Sequence, residues 1–218
     1  MNKIFTMKKV LIVMTLCLGF SFIGNAQNAK TLLDEVSQKV KSYENITIDF
    51  KYILENNAEN IKQESNGKVC LEGEKYRLEL MGVTQLFDGK KIYSIMPEDE
   101  EINISSYSEA NETSITPSKM LTFYEDGYSY TMDKSENIKG RMIQFIKLVP
   151  IDSNAEVDYV MLGIDKQTKH IYTLTQAQED GTNVIIKVNS FKTDQPMPNQ
   201  MFTFEEAKYP DYYINRLD

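Results

Sequence analysis

Few residues in this sequence could carry catalysis or hold a metal ion. His170 is the only histidine, and Cys70 is the only cysteine after residue 26. A Ser-His-Asp relay would need His170 as its base, yet no Gly-x-Ser-x-Gly turn supplies a nucleophile. One cysteine and one histidine also fall short of the four ligands of a structural zinc site. We therefore expect no enzymatic activity, no metal and no cofactor.

Three further candidates have simpler structural interpretations. The acidic run from Glu98 to Glu101 follows Met96-Pro97 and lacks the ligand spacing of an EF-hand, which indicates a solvated turn. Cys70 alternates out of phase with its apolar neighbours and has no histidine partner, so it is not a nucleophile. His170 follows a polar stretch and is interpreted as the solvated start of a strand.

The N-terminus has the pattern of a secretory signal peptide. Three lysines precede an apolar run from Val10 to Ile23, and Gly24-Asn25-Ala26 has the small-x-small pattern of a cleavage site. The run is shorter than the roughly 20 residues that span a bilayer. A lipid-modified Cys17 is disfavoured because Leu16 stands where a small residue is needed. We predict a signal peptide over residues 1–26 and one domain over residues 27–218.

Charge and cysteine content narrow the classes of partner. Residues 1–26 contain three basic residues and no acidic one, so their removal changes the formal net charge from −8 to −11. Nucleic acids and anionic membrane surfaces attract basic proteins, so neither is an expected partner. A single remaining cysteine also rules out an intrachain disulfide. The predicted domain must therefore be stabilised by packing.

The hydrophobic pattern predicts a mainly β (α+β) fold. Apolar residues at helical spacing indicate a helix over 29–43, and Thr116-Pro117 begins a second, apolar helix over 117–125. Elsewhere the period is two, with turns at Glu72-Gly73-Glu74, Asp88-Gly89 and Glu179-Asp180-Gly181. We count ten or eleven strands without βαβ alternation, and a sheet of this size must curl or close.

Several short pieces of the chain occur in a characteristic order. They are Leu33-Asp34-Glu35-Val36, Ile48-Asp49-Phe50, Gly67-Lys68-Val69, Tyr76-Arg77-Leu78, Leu86 to Tyr93, Val184 to Val188, Phe202-Thr203-Phe204 and a closing strand with Arg216. This series resembles the LolA family of periplasmic outer-membrane lipoprotein carriers. The family's second strand often has an arginine that ties the lid to the barrel, whereas this chain has Leu71-Glu72-Gly73-Glu74 in that region. We therefore assign no such arginine, and Arg77 is expected to face water.

The resemblance implies a half-open antiparallel β-barrel whose helices form a lid over a hydrophobic cavity. It implies a monomeric periplasmic carrier whose cargo is acylated lipoproteins. An inner-membrane ATP-driven lipoprotein release complex would supply the cargo, and an outer-membrane acceptor would receive it. Two alternatives stay open, namely a binding protein for free lipid or glycolipid and a lipid-sensing envelope-stress domain.

A carrier of this kind needs an apolar wall and a cover. The expected wall consists of strand residues on inward-facing positions, namely Ile48, Phe50, Val69, Leu71, Leu78, Leu80, Tyr93 and Ile95. The expected lid consists of Leu32, Val36 and Val40 from the first helix with Met120, Leu121 and Phe123 from the second. Each of these residues could equally be an ordinary core residue, because period two does not show whether a void lies behind a strand.

Overall fold

The computed structural model describes residues 20–107 and 116–217, with side chains from Gln27 onward. Most of the predicted signal peptide, residues 1–19, lies outside the described residues. From Phe20 the backbone is helical and continues through Ala26 without a break. Cleavage after Ala26 stays a prediction. In the described part of the chain, no helix is both long and apolar enough to cross a bilayer.

Within the described residues, one α-helix, α1 (Phe20–Lys41), precedes twelve strands. The strands are β1 (Ile46–Asn56), β2 (Ile61–Glu72), β3 (Lys75–Leu80), β4 (Val83–Phe87), β5 (Lys91–Met96), β6 (Glu101–Ser106), β7 (Tyr128–Ile138), β8 (Arg141–Pro150), β9 (Val157–Asp165), β10 (Ile171–Gln178), β11 (Thr182–Thr193) and β12 (Tyr213–Arg216). Three 3-10 turns lie at Lys119–Leu121, Phe123–Glu125 and Glu206–Lys208. The predicted mainly β class is confirmed.

The amphipathic pattern of α1 determines how it packs. Ala29, Leu32, Leu33 and Val36 recur at helical spacing and are buried. Lys30 and Asp34 form an exposed ion pair on the other side of the helix. Lys39 and Lys41 lie in the last turn, where cations interact favourably with the helix dipole. The helix predicted over 29–43 is thus confirmed up to residue 41.

All twelve strands belong to one open sheet. The spatial order is β12-β6-β5-β4-β3-β2-β1-β11-β10-β9-β8-β7. Neighbouring strands are antiparallel except β12, which pairs with β6 in parallel. The sheet therefore consists of two meanders, β1–β6 and β7–β11, that are joined where β1 pairs with β11. The structure has twelve strands where ten or eleven are predicted, and the predicted closing strand with Arg216 is β12, whose partner lies more than a hundred residues earlier in the chain.

Each face of the sheet buries its own apolar cluster. The helix face, on which α1 packs, carries a cluster that includes Ile48, Val69, Leu71, Leu148 and Leu162. The tail face is the opposite one and is covered by residues 197–214 of the C-terminal segment. Its cluster contains Cys70, Leu86, Tyr93, Ile95, Ile102, Ile104 and Phe202. Two independent covers, α1 and the C-terminal segment, are thus needed to keep both faces from water.

β6 lies next to the edge strand β12, and β7 is the edge strand at the other end of the sheet, so the β6–β7 connection passes from one end of the sheet to the other. Leu121 and Tyr124 from this connection are buried in the cluster of the helix face. The helix predicted over 117–125 is wrong, since this segment forms two 3-10 turns. Thr122 separates them with φ −136° and ψ 7°, outside the helical region. A short apolar segment packed on a sheet follows its tertiary contacts rather than helical propensity.

Candidate functional site

An apolar cavity of about 210 Å³ lies on the helix face of the sheet. Strands β1, β2, β3, β10 and β11 form its wall, and Pro117, Met120 and Leu121 of the β6–β7 connection border it. This volume is far above the ~10–15 Å³ that a cavity needs to hold a single water molecule. The elements that position the wall are central strands, which are held by neighbours on both sides.

The chemistry of the lining restricts what the cavity can bind. Every lining side chain is aliphatic, aromatic, proline or methionine, and the Tyr52 hydroxyl is the one polar group among them. Such a wall offers non-directional apolar contact and almost no hydrogen bonding. A hydrocarbon chain satisfies these conditions, whereas a polar solute would lose its hydration without compensation.

Six of the eight predicted wall residues line this cavity, as do two of the predicted lid residues. The six are Ile48, Phe50, Val69, Leu71, Leu78 and Leu80, and the two are Met120 and Leu121. That these residues contact lipid stays a prediction. Their side chains meet because alternate positions of β1, β2 and β3 are in register, with Ile48 opposite Val69 and Val69 opposite Leu78.

Tyr93 and Ile95 lie on the tail face, so the prediction that they belong to the cavity wall is wrong. Both are part of the cluster of the tail face, where Tyr93 lies opposite Ile104 and Ile95 opposite Ile102. Ile92, in the other phase of the same strand, packs on the helix face instead. Strand β5 has apolar residues in both phases, so its alternation does not reveal which phase faces the cavity.

The tail face also contains two polar pairs. The Tyr93 hydroxyl donates a hydrogen bond to Asp88 Oδ2 over 2.9 Å, and burial together with this carboxylate raises the pKa of Tyr93 to about 12. Arg77 lies opposite Cys70 and forms an ion pair with Glu79. Its position away from Tyr76 and Leu78 agrees with the expectation from alternation.

The predicted lid residues of α1 do not line the cavity. Leu32 and Val36 are buried against the sheet, and Val40 packs at the edge of the same cluster. Phe123 contacts Tyr124 and Tyr128 edge-on rather than the cavity. The helix lies beside β7, at the end of the sheet away from β3. This arrangement leaves the β6–β7 connection as the segment that borders the cavity.

Polar contacts fix α1 to its neighbours. Ser37 is buried and lies 3.1 Å from the Tyr124 hydroxyl, whose pKa burial raises to about 12. Lys41 pairs with Glu125 at 2.6 Å. Lys169, in the turn before β10, pairs with Glu35 at 2.5 Å. The helix is thus attached both to the second half of the connection and to the sheet.

Half of the cavity wall was missed by the sequence analysis. The missed residues are Tyr52, Pro117, Ile171, Leu174, Val184, Ile186, Val188 and Phe191. The alternation of Val184, Ile186 and Val188 was visible, but nothing in the sequence shows that β11 pairs with β1. A bulge leaves Asn189 without a partner, because Phe50 lies opposite Val188 while Asp49 lies opposite Ser190. The extra residue brings Phe191 to the same face as Val188.

His170 is not a solvated strand start, contrary to expectation. Its ring stacks on Phe191 with centroids 4.0 Å apart, and its Nε2 lies 2.8 Å from the Tyr43 hydroxyl. Burial, reinforced by the positive charge of Lys39, lowers the pKa of His170 below its ordinary value. The residue therefore links the segment after α1 to a cavity-lining phenylalanine. The sequence before the strand is polar and gives no sign of this contact, because Tyr43 and Phe191 are distant from His170 in the chain.

The remaining candidates from the sequence keep their simpler interpretations. Residues 97–100 form the exposed turn between β5 and β6. Cys70 is buried, and the Thr47 hydroxyl lies 3.7 Å from its sulfur. Within residues 20–107 and 116–217, no three His, Cys, Asp or Glu side chains are grouped so that they could hold a metal ion.

Comparison with solved structures shows a related fold at low sequence identity. An uncharacterised conserved protein from Thermus thermophilus matches with a TM-score of 0.57 and 15% identity, over 87% of this chain and 99% of its own. The lipoprotein LppX from Mycobacterium tuberculosis matches at 0.49 and 13%, over 78% and 98%. A LolA superfamily protein from Nitrosomonas europaea matches at 0.42 and 13%, over 83% and 98%. No curated protein sequence matches the chain.

The sequence itself matches a protein family over residues 20–190, which is most of the chain. That family is described as outer membrane lipoprotein carrier protein LolA. The match covers α1, the strands β1 to β10 and most of β11, and thus every residue that lines the cavity except Phe191. The chain therefore belongs to the LolA family of outer membrane lipoprotein carrier proteins.

Proposed function

We propose that this protein is an exported carrier that shields the acyl chains of lipoproteins in the cavity of the helix face. The observation that carries the proposal is the apolar lining of the cavity, whose one polar group is the Tyr52 hydroxyl. The chain also belongs to a family of lipoprotein carriers. The proposed role is binding rather than catalysis. The Pro117–Leu121 segment, which borders the cavity, would act as its lid.

The free energy of acyl-chain transfer explains why a carrier is needed. At ~0.8 kcal/mol per methylene group, a chain of roughly 16 carbons costs on the order of 12 kcal/mol to expose to water. A lipoprotein with two or three such chains would not leave a membrane unaided. Apolar, non-directional contacts would shield the chains yet still permit their release to an acceptor.

Location and partners follow from the same proposal. Residues 1–26 would direct export and be removed, which leaves residues 27–218 as a monomeric periplasmic domain. Cargo would arrive from an ATP-driven release complex in the inner membrane and pass to an acceptor at the outer membrane. We expect neither nucleic acid nor a cofactor among the partners.

Mass spectrometry of the protein purified from its native envelope without detergent tests the proposal directly. Stoichiometric diacylated or triacylated protein would support a lipoprotein carrier. Free phospholipid or glycolipid alone would instead favour the lipid-binding alternative, and lipid together with a membrane-anchored partner would favour an envelope-stress sensor. A preparation that contains no acylated molecule would contradict the proposal.

A charge placed in the cavity should abolish lipid binding. Leu80 lines the cavity and is partly exposed, so Leu80→Glu should fold, but an entering chain would have to desolvate the carboxylate. We expect at least a tenfold loss of palmitate affinity by calorimetry with an unchanged circular dichroism spectrum. Val149→Glu is the matched control, because Val149 is 38% exposed on β8 outside the cavity. Equal palmitate affinity in both variants would contradict the assigned site.

A further inference from the structure

A glycine on β2 lies beside the cavity wall, next to two residues that line it. Gly67 is in phase with Val69 and Leu71, and its partners across the sheet are Phe50 on β1 and Leu80 on β3. Both partners line the cavity. Glycine weakens the interior of a strand and often marks a close approach of another group.

The group that approaches Gly67 is the ring of Phe50. A Cβ atom built on Gly67 would lie 2.6 Å from Phe50 Cε2 and 3.0 Å from Cε1, whereas ordinary contacts start near 3.4 Å. The ring is therefore folded over the glycine and lies against the backbone of β2. This position is available only because residue 67 has no side chain.

The direction of the ring determines the depth of the cavity. A side chain at position 67 would point away from the sheet on the helix face, since Cβ atoms alternate between the two faces. The Phe50 ring would then have to move, and the cavity that it lines is open space into which it can move. With glycine at position 67, the ring can stay over residue 67 and leave that space open.

We propose that Gly67 and Phe50 together set the length of acyl chain that the cavity accepts. The proposal rests on the proposed function, because it assigns a selectivity to the same cavity. Gly67 is the specificity-determining position, and Phe50 is the side chain through which it acts. The ligand is a saturated acyl chain. Its terminal methylene groups would lie over Gly67 and Phe50, so this pair would limit how long a chain can enter.

Two substitutions separate this role from general effects on folding. Gly67→Ala should displace the Phe50 ring, so that the end of a long chain no longer fits. At ~0.8 kcal/mol per methylene, palmitate affinity should fall about fourfold for each methylene group that is excluded. Decanoate, which is shorter, should lose little affinity. Gly67→Ala combined with Phe50→Leu removes the ring that was displaced and should restore the preference for palmitate.

The chain offers a matched control for the crowding that alanine introduces. A Cβ on Gly163 of β9 would lie 2.7 Å from Thr173 Cγ2 and 3.0 Å from Phe145 Cε1. Gly163 lies between Leu162 and Ile164, which face α1, so it points to the opposite side of the sheet. Gly163→Ala should therefore crowd the sheet in a similar way without changing the ratio of palmitate to decanoate affinity.

Calorimetric titration of the protein and its variants with decanoate, myristate and palmitate distinguishes the outcomes. A lower palmitate-to-decanoate ratio in Gly67→Ala that returns in the double variant would support the proposal. An unchanged ratio in Gly67→Ala, with normal binding by the unsubstituted protein, would overturn it and leave the carrier function intact. Failure of the unsubstituted protein to bind any acyl chain would overturn the carrier function, and this proposal with it.

The single variant Phe50→Leu serves if Gly67→Ala does not fold. Loss of the ring opens the space above Gly67, so the palmitate-to-decanoate ratio should rise above that of the unsubstituted protein. A ratio that stays the same or falls would overturn the proposal, because the ring would then not limit the chain.

Discussion

At the residue scale, His170 connects the end of α1 to the cavity through contacts on both sides of its ring. Tyr43 lies edge-on to the imidazole with centroids 5.8 Å apart, while Phe191 stacks on it. The charged groups that act on the imidazole are Lys39, Arg141 and Asp165; the two cations lower its pKa and the carboxylate raises it. Burial contributes most, so the neutral ring is the form that the folded protein favours.

This environment predicts a pH-dependent contribution of His170 to stability. Because the folded pKa lies below the ordinary value of 6.5, the unfolded chain binds the proton more readily. The stabilising contribution is therefore complete above about pH 6.5 and decreases as the pH falls below that value. Urea midpoints at about pH 8 and about pH 5 should show that His170→Gln costs less stability at the lower pH. An equal cost at both pH values would contradict this assignment.

Single residues also show what the sequence can and cannot predict. Gly73 and Gly89 occupy turns with positive φ, as the predicted hairpins require, because this preference is local. Tyr93 and Ile95 were assigned to the wrong face because their cover, Phe202 and the residues around it, lies about a hundred positions later. Alternation groups the residues of a strand into two sets, but only distant contacts determine which set faces the cavity.

At the scale of elements, α1 and the β6–β7 connection differ in how firmly they are held. Helix α1 buries four apolar residues, namely Ala29, Leu32, Leu33 and Val36. Residues 117–122 bury one, Leu121. Each buried leucine or valine side chain contributes about 1.5–3 kcal/mol. Moving the helix would therefore cost several times more than moving residues 117–122. This difference argues against a swing of α1 when cargo enters.

Hydrogen exchange with and without palmitate tests which element responds to a ligand. We expect the amides of residues 117–122 to change their exchange rates, because this segment borders the cavity and is held by few buried contacts. The amides of residues 29–41 should exchange at the same rate in both states. A change confined to α1 would show that the helix is the moving element after all.

Elements could be predicted where their periodicity is strong. Strands β1 and β3 to β6 follow from alternation and turn residues, and the helix 29–41 follows from its apolar stripe. The segment 117–125 is apolar and short, so its conformation depends on the sheet beneath it. The closing strand β12 follows from the family resemblance rather than from periodicity, and its four residues pair with β6.

At the scale of the whole molecule, the tail face depends on residues beyond the matched part of the chain. The family match ends at residue 190, yet Phe202 fills the cluster of the tail face. Phe204 stacks on Tyr93 with centroids 4.5 Å apart and on Tyr209 at 5.7 Å. The C-terminal segment is thus part of the core, although it is remote from the cavity.

Removal of the Phe202 side chain should destabilise the protein without changing ligand binding. Phe202 is 8% exposed, and a buried phenylalanine replaced by alanine typically costs about 3–5 kcal/mol. Urea unfolding of Phe202→Ala should show this loss, while palmitate affinity under native conditions is retained. Tyr213→Ala is the control within the same segment, because Tyr213 is 69% exposed and should tolerate the change. Similar stability losses in the two variants would contradict the assigned role of the segment.

The pairing of β1 with β11 has a kinetic consequence. Within each meander, consecutive strands can pair soon after they form. Ile48 and Phe191 also pair, but most of the chain separates them in sequence. Contacts of such high sequence separation slow folding, because the entropy of loop closure is lost before they are made. Until then, β1 and β11 are long apolar strands with open edges, which other chains could join. A newly made chain is therefore prone to aggregation until its two half-sheets combine.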